Sequence, residues 1–261
     1  MDHREAGRYW EGNAAAWTRL SREGWDVYRD AVNTPAFLGL LPDVSALRGL
    51  DVGCGEGHNT RLFREREATM FAIDVAPTFL RFAAAREPDG PDAVQYAAAS
   101  ALELPFPPRR FDFVTAVMSL MDLPDHPRAF AEIHRVLRAG GFLQFSILHP
   151  CFNPPYRRLL RTAQGEVYAV EVGRYFDLVD GRIDRWLFSA APAEATAGLK
   201  PFEVPVFHRT LAEWLNAVKA AGFVLEEVRE PKADDETAAR VPAVADTRVV
   251  AYFLHVRCRK P

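Results

Sequence analysis

The sequence predicts an α/β fold in which helices cover both faces of a mostly parallel sheet. Three observations support this prediction. A glycine turn at residues 49–57 joins a short apolar strand to a helix. Strand and helix patterns then alternate up to residue 148, and the strand at residues 111–117 is nearly all apolar, as a strand covered on both faces should be. The 261 residues, 49% of them hydrophobic, suffice for one sizeable core.

The stretch from Gly49 to Gly57 is an apolar strand followed by glycines that let the backbone bend and approach a ligand closely. A second strand ends in Asp74, which places a carboxylate roughly twenty residues beyond the turn, where a nucleotide ribose is usually held. A dinucleotide fingerprint would have a glycine at His58, and a phosphate loop would need a lysine, whereas the first lysine of the chain is Lys200. A nucleoside cofactor without phosphate remains. Carboxylates at Asp51 and Asp74 favour a cationic one, S-adenosylmethionine.

Four blocks of the chain, in this order and spacing, resemble the class I S-adenosylmethionine-dependent methyltransferases. They are Leu50-Asp51-Val52-Gly53-Cys54-Gly55-Glu56-Gly57, Asp74, Leu104-Pro105-Phe106 and Phe111-Asp112-Phe113-Val114. The resemblance spans most of residues 49–148. It implies a Rossmann-like, doubly wound, mostly parallel seven-stranded sheet with an antiparallel last strand. It also implies S-adenosyl-L-methionine as the methyl donor and S-adenosyl-L-homocysteine as the product.

Ligands of open α/β sheets bind outside the carboxyl ends of the strands. This rule and the resemblance give the candidate cofactor-binding residues Asp51, Gly53, Cys54, Gly55, Asp74, Val75, Ser100, Ala101 and Met118. Arg29 is added as a partner for the cofactor carboxylate, although it could equally be a solvated arginine. Ser100 departs from the family, which usually has an aspartate there for the adenine amino group. A serine hydroxyl can also accept a hydrogen bond, and the backbone of Ala101 could still meet the ring.

Residues 1–48 are predicted to form an N-terminal helical lid. Large aromatic residues recur at helical spacing around Trp17 and again around Trp25. Thr34-Pro35 is typical of an N-cap and first helical residue, before a short helix that Pro42 ends. The resemblance implies that such helices lie over the cofactor. The aromatic residues would then close the substrate pocket, or they form plain core.

The methyltransferase domain is predicted to comprise residues 49–151 and 209–261, with residues 152–208 inserted after the fifth strand as a substrate cap. The cap is rich in aromatic residues, and Asp180-Gly181 suggests a β-hairpin turn. The aromatic residues could wall a pocket for an apolar or aromatic substrate, or they could make the cap's own small core. A basic cluster, typical of a solvated helical face but alternatively a site for an acidic or phosphate-bearing substrate, comprises Arg157, Arg158 and Arg161.

Two further helices are expected in the methyltransferase domain. One begins at Pro127 and ends at Gly140-Gly141, before a strand at residues 142–148. The other begins with a capping box, Thr210-Leu211-Ala212-Glu213. The last two strands are expected at residues 223–228 and 249–258.

Methyl transfer is an in-line displacement at an activated carbon, so the protein mainly has to align the two reactants in a water-poor pocket. A hydroxyl acceptor would be helped by a base. His149 and His208 are candidates because each stands where a strand or the cap meets the pocket mouth. Either could instead be a structural hydrogen-bonding residue. The histidines and carboxylates lack metal-ligand spacing, so no metal is expected.

Composition narrows the function. A net charge of -3, a pI near 6.2 and the lack of a basic stripe disfavour nucleic acid. No apolar run reaches the length of a membrane span, and three scattered cysteines fit a reducing cytoplasm. The leading hypothesis is methyl transfer to an oxygen, nitrogen or carbon atom of a small molecule. The alternatives are an RNA or protein methyltransferase and a non-catalytic cofactor-binding subunit. The acceptor and the oligomeric state stay open.

Overall fold

The protein is built around one seven-stranded sheet, in a computed structural model that describes residues 1–88, 90 and 92–261. The strands are β1 (Arg48–Val52), β2 (Thr69–Asp74), β3 (Gln95–Ala98), β4 (Phe111–Val117), β5 (Leu137–Leu148), β6 (Tyr156–Arg161), β7 (Val167–Gly173), β8 (Val179–Trp186), β9 (Phe202–His208), β10 (Val224–Arg229) and β11 (Phe253–Arg259). The helices are α1 (His3–Arg22), α2 (Thr34–Leu40), α3 (His58–Arg64), α4 (Pro77–Ala84), α5 (His126–Val136), α6 (Ala193–Thr196), α7 (Leu211–Ala220) and α8 (Asp235–Arg240). A π turn is present at Arg29–Asn33, and 3-10 helices at Leu120–Asp122 and Pro242–Arg248.

The strand order of the sheet is β3-β2-β1-β4-β5-β11-β10. Neighbouring strands from β3 to β5 are parallel, and β11 is antiparallel to both β5 and β10. The predicted mostly parallel seven-stranded sheet with an antiparallel last strand is therefore confirmed. Because β11 runs opposite to its neighbours, its start lies at the edge where the parallel strands end.

The central strand is buried because successive residues enter two different cores. In β4, Phe113 packs with Phe63 and Phe142 on one face of the sheet. Its neighbour Val114 packs among residues of α5 and α7 on the other face. Side chains of a strand alternate between faces, so a strand covered on both faces needs apolar residues throughout. This explains the almost continuous apolar run that predicted the strand.

The N-terminal segment differs from the prediction at Thr34. This residue is not an N-cap, because it has helical dihedral angles and the π turn runs directly through it into α2. Pro35 has no N–H to donate to the preceding turn. The Thr34 hydroxyl does not cap the helix, because its Oγ1 donates to Oδ1 of Asn59 at 2.8 Å. The predicted end of the helix is confirmed. Leu41 leaves the helix with a ψ of 126°, as a residue before proline should.

The predicted boundary at Gly140-Gly141 is wrong, because α5 ends at Val136 and β5 begins at Leu137. The intervening segment is extended by pairing with the end of the chain. The N–H of Gly140 donates to the Lys260 carbonyl at 2.9 Å, and the N–H of Lys260 donates to the Gly141 carbonyl at 2.8 Å. The Lys260 ammonium also donates to the carbonyl of Leu137, and a cation is favourable at a helix C-terminus.

The cap consists of two antiparallel strand pairs, β6 with β7 and β8 with β9. The prediction of a hairpin turn at Asp180-Gly181 is wrong. Gly181 has a φ of +86°, but it lies within β8, where the pairing with β9 shifts between Asp180 and Arg182. A positive φ serves a β-bulge as well as a hairpin turn, and the sequence alone did not distinguish them. The tight connection is the one at Gly165, between β6 and β7.

The long helix α1 packs directly on the cap. The Trp17 ring lies 5.3 Å from Trp186, 4.9 Å from Phe188 and 4.8 Å from Phe202, measured between centroids. Trp10 joins them, 5.3 Å from Trp17. We call these five residues the aromatic roof. The Asn13 side chain connects α1 to β9 beside the roof. It donates to the Glu203 carbonyl at 2.9 Å and accepts from the Glu203 N–H at 3.0 Å.

The C-terminal part contains the predicted capping box of α7. Oγ1 of Thr210 accepts from the Glu213 N–H, and Oε2 of Glu213 accepts from the Thr210 N–H at 2.7 Å. The last strand begins at Phe253, later than predicted, because residues up to Arg248 form a 3-10 helix. Within the described part of the chain, every helix is too short or too polar to span a bilayer.

Candidate active site

A cavity of about 830 Å³ lies between the carboxyl ends of the parallel strands and the cap. His208 lines it, whereas His149 is not on its wall. The wall also contains all ten residues that the sequence proposed for the cofactor, namely Arg29, Asp51, Gly53, Cys54, Gly55, Asp74, Val75, Ser100, Ala101 and Met118. The fold therefore brings these residues together from separate segments. Their binding of the cofactor itself stays a prediction.

The turn after β1 requires glycine at two positions for different reasons. Gly53 has a φ of +74°, and a Cβ there would lie 2.3 Å from the Cβ of Ser119. The turn thus packs against the segment after β4. Gly55 has a φ of +54°, and a Cβ there would meet nothing within 4 Å among the described residues. Because Gly55 lines the cavity, its bare backbone leaves room for a ligand to approach.

Asp74 ties the end of β2 to the glycine turn. Its Oδ2 accepts from the N–H of Gly55 at 2.8 Å, and its Oδ1 accepts from the N–H of Ala76 at 2.9 Å. Burial raises the pKa of this carboxyl to about 6, because removal from water disfavours the charged form. A carboxylate oxygen can accept more than one hydrogen bond. Both oxygens can therefore accept from a ligand without releasing the turn.

Asp51 lies beneath the turn and is almost fully buried. Its two oxygens accept from the Thr60 hydroxyl at 2.5 Å and from the Thr115 hydroxyl at 2.9 Å. Burial raises its pKa to about 6. The two hydroxyls offset part of the cost of burying a charge. The cavity therefore has two carboxyls beside the glycine turn that ionise close to neutral pH. We call this part of the cavity the cofactor side, because the sequence predicts the cofactor there.

Another part of the cavity wall is aromatic. Trp10, Trp17 and Trp25 come from the N-terminal segment, and Trp186 and Phe188 come from the cap. Flat apolar side chains of this kind exclude water and favour the burial of an apolar surface. The aromatic residues pack on one another and also line the cavity, and that they close over a substrate stays a prediction.

The chain is similar in sequence and in structure to known methyltransferases. A family model described as a methyltransferase domain matches residues 50–145. The crystal structure of an S-adenosylmethionine-dependent methyltransferase from Mesorhizobium loti has a TM-score of 0.71 and is 28% identical, and the match covers 87% of this chain and 96% of that one. The chain belongs to the class I S-adenosylmethionine-dependent methyltransferases.

Two curated relatives of this methyltransferase match over a shorter length. The malonyl-[acyl-carrier protein] O-methyltransferase of Serratia marcescens is 35% identical over 99 residues, which are 38% of this chain and 37% of that protein. The 27-O-demethylrifamycin SV methyltransferase of Amycolatopsis mediterranei is 32% identical over 142 residues, which are 52% of this chain and 47% of that protein. The methyltransferase therefore covers less than half the length of each of these two relatives.

The cavity fits S-adenosylmethionine on its own geometry. The bare backbone at Gly55 leaves space for the ligand, and Asp74 keeps acceptor capacity for the ribose hydroxyls. Oγ of Ser100 accepts from the Leu102 N–H at 3.2 Å, so its hydroxyl hydrogen can be donated to an adenine ring nitrogen. We predict that Asp74 holds the ribose and that Ser100 and Ala101 hold the adenine.

Arg29 lines the cavity but is already engaged with its own neighbours. Its Nε donates to Oδ1 of Asp30 at 2.7 Å and lies 3.8 Å from Asp26. One Nη donates to the Ser21 carbonyl at 3.3 Å. Burial in the cavity wall raises the pKa of Asp26 to about 6. A guanidinium has five N–H donors, so pairing of Arg29 with the cofactor carboxylate remains a prediction.

His149 is withdrawn as a candidate base, because both of its ring nitrogens are used within the protein. Nε2 lies 2.8 Å from Oε1 of Glu230, and Nδ1 accepts from the Cys151 N–H at 3.2 Å. Burial lowers its pKa, and Glu230 opposes that shift. The strand end does place the histidine near the cavity, but the loop carrying Glu230 turns it into a structural hydrogen-bonding residue.

His208 has the arrangement that a base needs. Its Nε2 lies 2.7 Å from the carbonyl oxygen of Tyr175. A carbonyl can only accept, so Nε2 carries the hydrogen, and Nδ1 of the neutral ring is left as the acceptor. Within the described chain, no hydrogen bond occupies this Nδ1. Because His208 lines the cavity, its role as the general base stays open as a proposal.

Two groups on the cavity wall were not found from the sequence. Asp26 precedes the π turn and carries no motif. Tyr252 lies immediately before β11, and no motif in the sequence around it indicates a site. The antiparallel last strand could have revealed it, because the residues before such a strand lie at the edge where the parallel strands end. Asp122 also lines the cavity, and burial raises its pKa well above the ordinary value.

Proposed function

We propose that this methyltransferase transfers its methyl group to a small molecule that binds beneath the aromatic roof. One observation carries the proposal. The same cavity of about 830 Å³ is lined both by the glycine turn and by the rings of Trp17, Trp25 and Trp186. A volume of this size is typical of small-molecule sites. The roof lines the same cavity as the turn, which favours an acceptor small enough to enter that cavity.

The names of two relatives support a small acceptor or a small acyl group. One acts on malonyl-[acyl-carrier protein] at oxygen, and the other acts on 27-O-demethylrifamycin SV. Each match is partial, so neither acceptor is assigned to this chain. An oxygen atom as the methylated atom is consistent with both names.

The residues of this chain then have three tasks. S-adenosylmethionine, when bound, supplies a methyl carbon that its sulfonium has already activated for displacement. The aromatic wall excludes water and orients the acceptor, which can account for much of the rate acceleration of such a reaction. For a hydroxyl acceptor, Nδ1 of His208 takes the proton as the oxygen attacks. The resulting cation keeps its Nε2–H bond to the Tyr175 carbonyl.

Release of S-adenosylhomocysteine from a library of small molecules tests the proposal. We expect hydroxylated aromatic or apolar compounds to be turned over, and RNA or protein fractions to be inert. Release only with RNA or protein would overturn the proposal in favour of a macromolecular acceptor. Cofactor binding without release from any acceptor would favour a non-catalytic subunit.

His208→Gln separates catalysis from cofactor binding in the same assay. We expect turnover of a hydroxyl acceptor to fall by about 10²–10⁴-fold, and affinity for S-adenosylmethionine to stay within a few-fold. The matched control is His149→Gln, which removes a buried histidine that does not line the cavity. Equal losses in the two variants would show that His208 is structural.

A further inference from the structure

Arg157 of the cap lines the cavity, and the proposed function gives it no role. It lies on β6 and not on a helix, so the predicted helical face of three arginines is wrong. Side chains of a strand alternate between its faces. Arg158 therefore points outwards, where it is exposed and pairs with Glu171 at 2.6 Å. Arg157 points inwards and lines the cavity.

The Arg157 guanidinium lies over an aromatic ring that is held in place. Its carbon lies 4.5 Å from the centroid of the Tyr252 ring. The hydroxyl of Tyr252 donates to Oδ2 of Asp246 at 2.6 Å, and the hydroxyl of Tyr28 donates to the same oxygen at 2.8 Å. A guanidinium has five N–H donors, so its contact with this one tyrosine leaves donors available. The ring thus orients a rigid fork of donors within the cavity wall.

The other arginines of the cavity wall already have partners. Arg29 pairs with Asp30 at 2.7 Å, and Arg182 pairs with Asp184 at 2.8 Å. Arg209 donates to backbone carbonyls and lies 3.8 Å from Asp180. For Arg157, the described residues provide no carboxylate within ion-pair distance. A half-buried cation facing a cavity without a counter-charge favours the binding of an anion there.

The position of Tyr252, under Arg157, is separated from the glycine turn by several strands of the sheet. Tyr252 precedes β11, and its carbonyl accepts from the His149 N–H at 2.8 Å, at the end of β5. The glycine turn follows β1, which is separated from β11 by β4 and β5. Three inter-strand spacings amount to about 14 Å. Arg157 therefore lies away from the glycine turn, and we assign it to the acceptor half of the cavity.

We propose that Arg157 binds a carboxylate of the methyl acceptor through paired N–H bonds, so that the acceptor is an acid methylated at another of its atoms. This inference rests on the proposed small-molecule function. A planar guanidinium matches a carboxylate in a bidentate geometry that a lysine cannot reproduce. The carboxylate would neutralise the half-buried cation and fix the orientation of the acceptor beneath the roof.

The test uses matched pairs of hydroxylated aromatic acids and their primary amides, with S-adenosylhomocysteine release as the readout. We expect kcat/KM of the wild-type protein to favour the acids. Arg157→Gln should lower kcat/KM for the acids by at least about tenfold and leave the amides within about threefold. Arg158→Gln is the matched control on the opposite face of the same strand, and it should change neither class.

Arg157→Lys tests the geometry, and thermal melting tests the fold of every variant. Lysine keeps the charge without the fork, so we expect it to recover only part of the activity on acids. Should Arg157→Gln melt early, the comparison of acids with amides within Arg157→Lys still decides the proposal. Equal loss for acids and amides in a folded variant overturns it.

A second arm separates the acceptor from the cofactor, which also has a carboxylate. Binding of S-adenosylhomocysteine and of 5′-methylthioadenosine, which lacks that carboxylate, is measured in wild type and Arg157→Gln. We expect both affinities to stay within about threefold. A loss of at least about tenfold for S-adenosylhomocysteine alone would overturn the proposal and assign Arg157 to the cofactor. Wild-type turnover of neutral acceptors without any preference for acids would overturn this inference and leave the proposed function standing.

Discussion

The cofactor side of the cavity and the aromatic roof are held together by different physics. At the cofactor side, Asp51 and Asp74 accept hydrogen bonds from backbone and hydroxyl groups of the adjoining strands and turns. In the roof, Trp17 of α1 packs on rings from the cap, and Asn13 bonds to Glu203, 190 residues away in the chain. The first region is polar, and its bonded partners lie at most 64 residues apart in the chain, whereas the second is apolar and joins segments that lie much farther apart.

This difference predicts different responses to substitution. Polar groups at the cofactor side are individually satisfied, so removing one should affect ligand binding more than folding. Rings in the roof share contacts with several others, so removing the central ring should affect folding first. Each of the following experiments compares the two regions.

The largest effect is expected for Trp17→Ala, at the centre of the roof. Truncating a well-packed aromatic residue costs about 3–5 kcal/mol of unfolding free energy, and a chain of this size should then melt at least about 6 °C lower. Phe176→Ala is the control, because that ring in the cap is 88% exposed. It should change the stability by less than about 0.5 kcal/mol. A wild-type melting temperature for Trp17→Ala would show that the roof does not stabilise the fold.

Gly53→Ala and Gly55→Ala should divide stability from binding within one turn. Alanine at Gly53 adds about 1–2 kcal/mol for the left-handed backbone and about 1–3 kcal/mol for its overlap with Ser119. Alanine at Gly55 has the backbone term alone, and its Cβ enters the cavity. We expect Gly53→Ala to unfold more readily and Gly55→Ala to lose cofactor affinity while staying folded. Chemical denaturation and calorimetry measure the two quantities, and equal stability of both variants would contradict the packing argument.

Asp74→Ala should weaken S-adenosylmethionine binding by at least about tenfold. A charge-assisted hydrogen bond contributes about 1.5–3 kcal/mol, and the substitution also frees the N–H groups of Gly55 and Ala76. Calorimetry measures the affinity. Trp186→Ala, in the roof, is the comparison, and it should alter turnover or acceptor preference with cofactor affinity kept within a few-fold. Unchanged affinity in Asp74→Ala would place the ribose elsewhere.

The smallest effect is a pH dependence of cofactor affinity. The pKa values of Asp51 and Asp74 are raised to about 6 in the folded protein. These carboxyls are therefore neutral below pH 6 and attract the cationic cofactor less. Affinity should rise a few-fold between pH 5 and pH 7.5. A raised pKa means that these carboxyls contribute stability that is lost as the pH rises through 6. Because the cofactor binds more tightly at the higher pH, it should raise the melting temperature more at pH 7.5 than at pH 5.

Asp51→Asn is the control for this pH dependence. Its amide can accept from one threonine hydroxyl and donate to the other, so the fold should be kept. Affinity measured across the same pH range should vary less than in wild type. An identical pH profile in this variant would assign the dependence to another group, such as Asp26, whose pKa is also raised to about 6.

The sequence by itself determined the cofactor side of this methyltransferase. Its signals are local. The glycines at 53 and 55 require backbone angles that other residues avoid, and the carboxylate at 74 follows a strand of recognisable pattern. The order of strands and helices then brings these positions to one edge of the sheet, because parallel strands all end at the same edge.

Only the tertiary structure decided which residues form the roof, which of the two histidines lines the cavity and which arginine of β6 does so. Nε2 of His149 bonds to Glu230, which lies 81 residues away in the chain, and no local sequence pattern predicts that contact. Gly181 has a positive φ, which suits both a hairpin turn and a bulge. Only the pairing of β8 with β9 shows that this position is a bulge. Whether Arg157 or Arg158 faces the cavity depends on the register of β6, since a shift of one residue exchanges the two faces of a strand. Long-range packing sets that register, and the sequence of the segment alone does not.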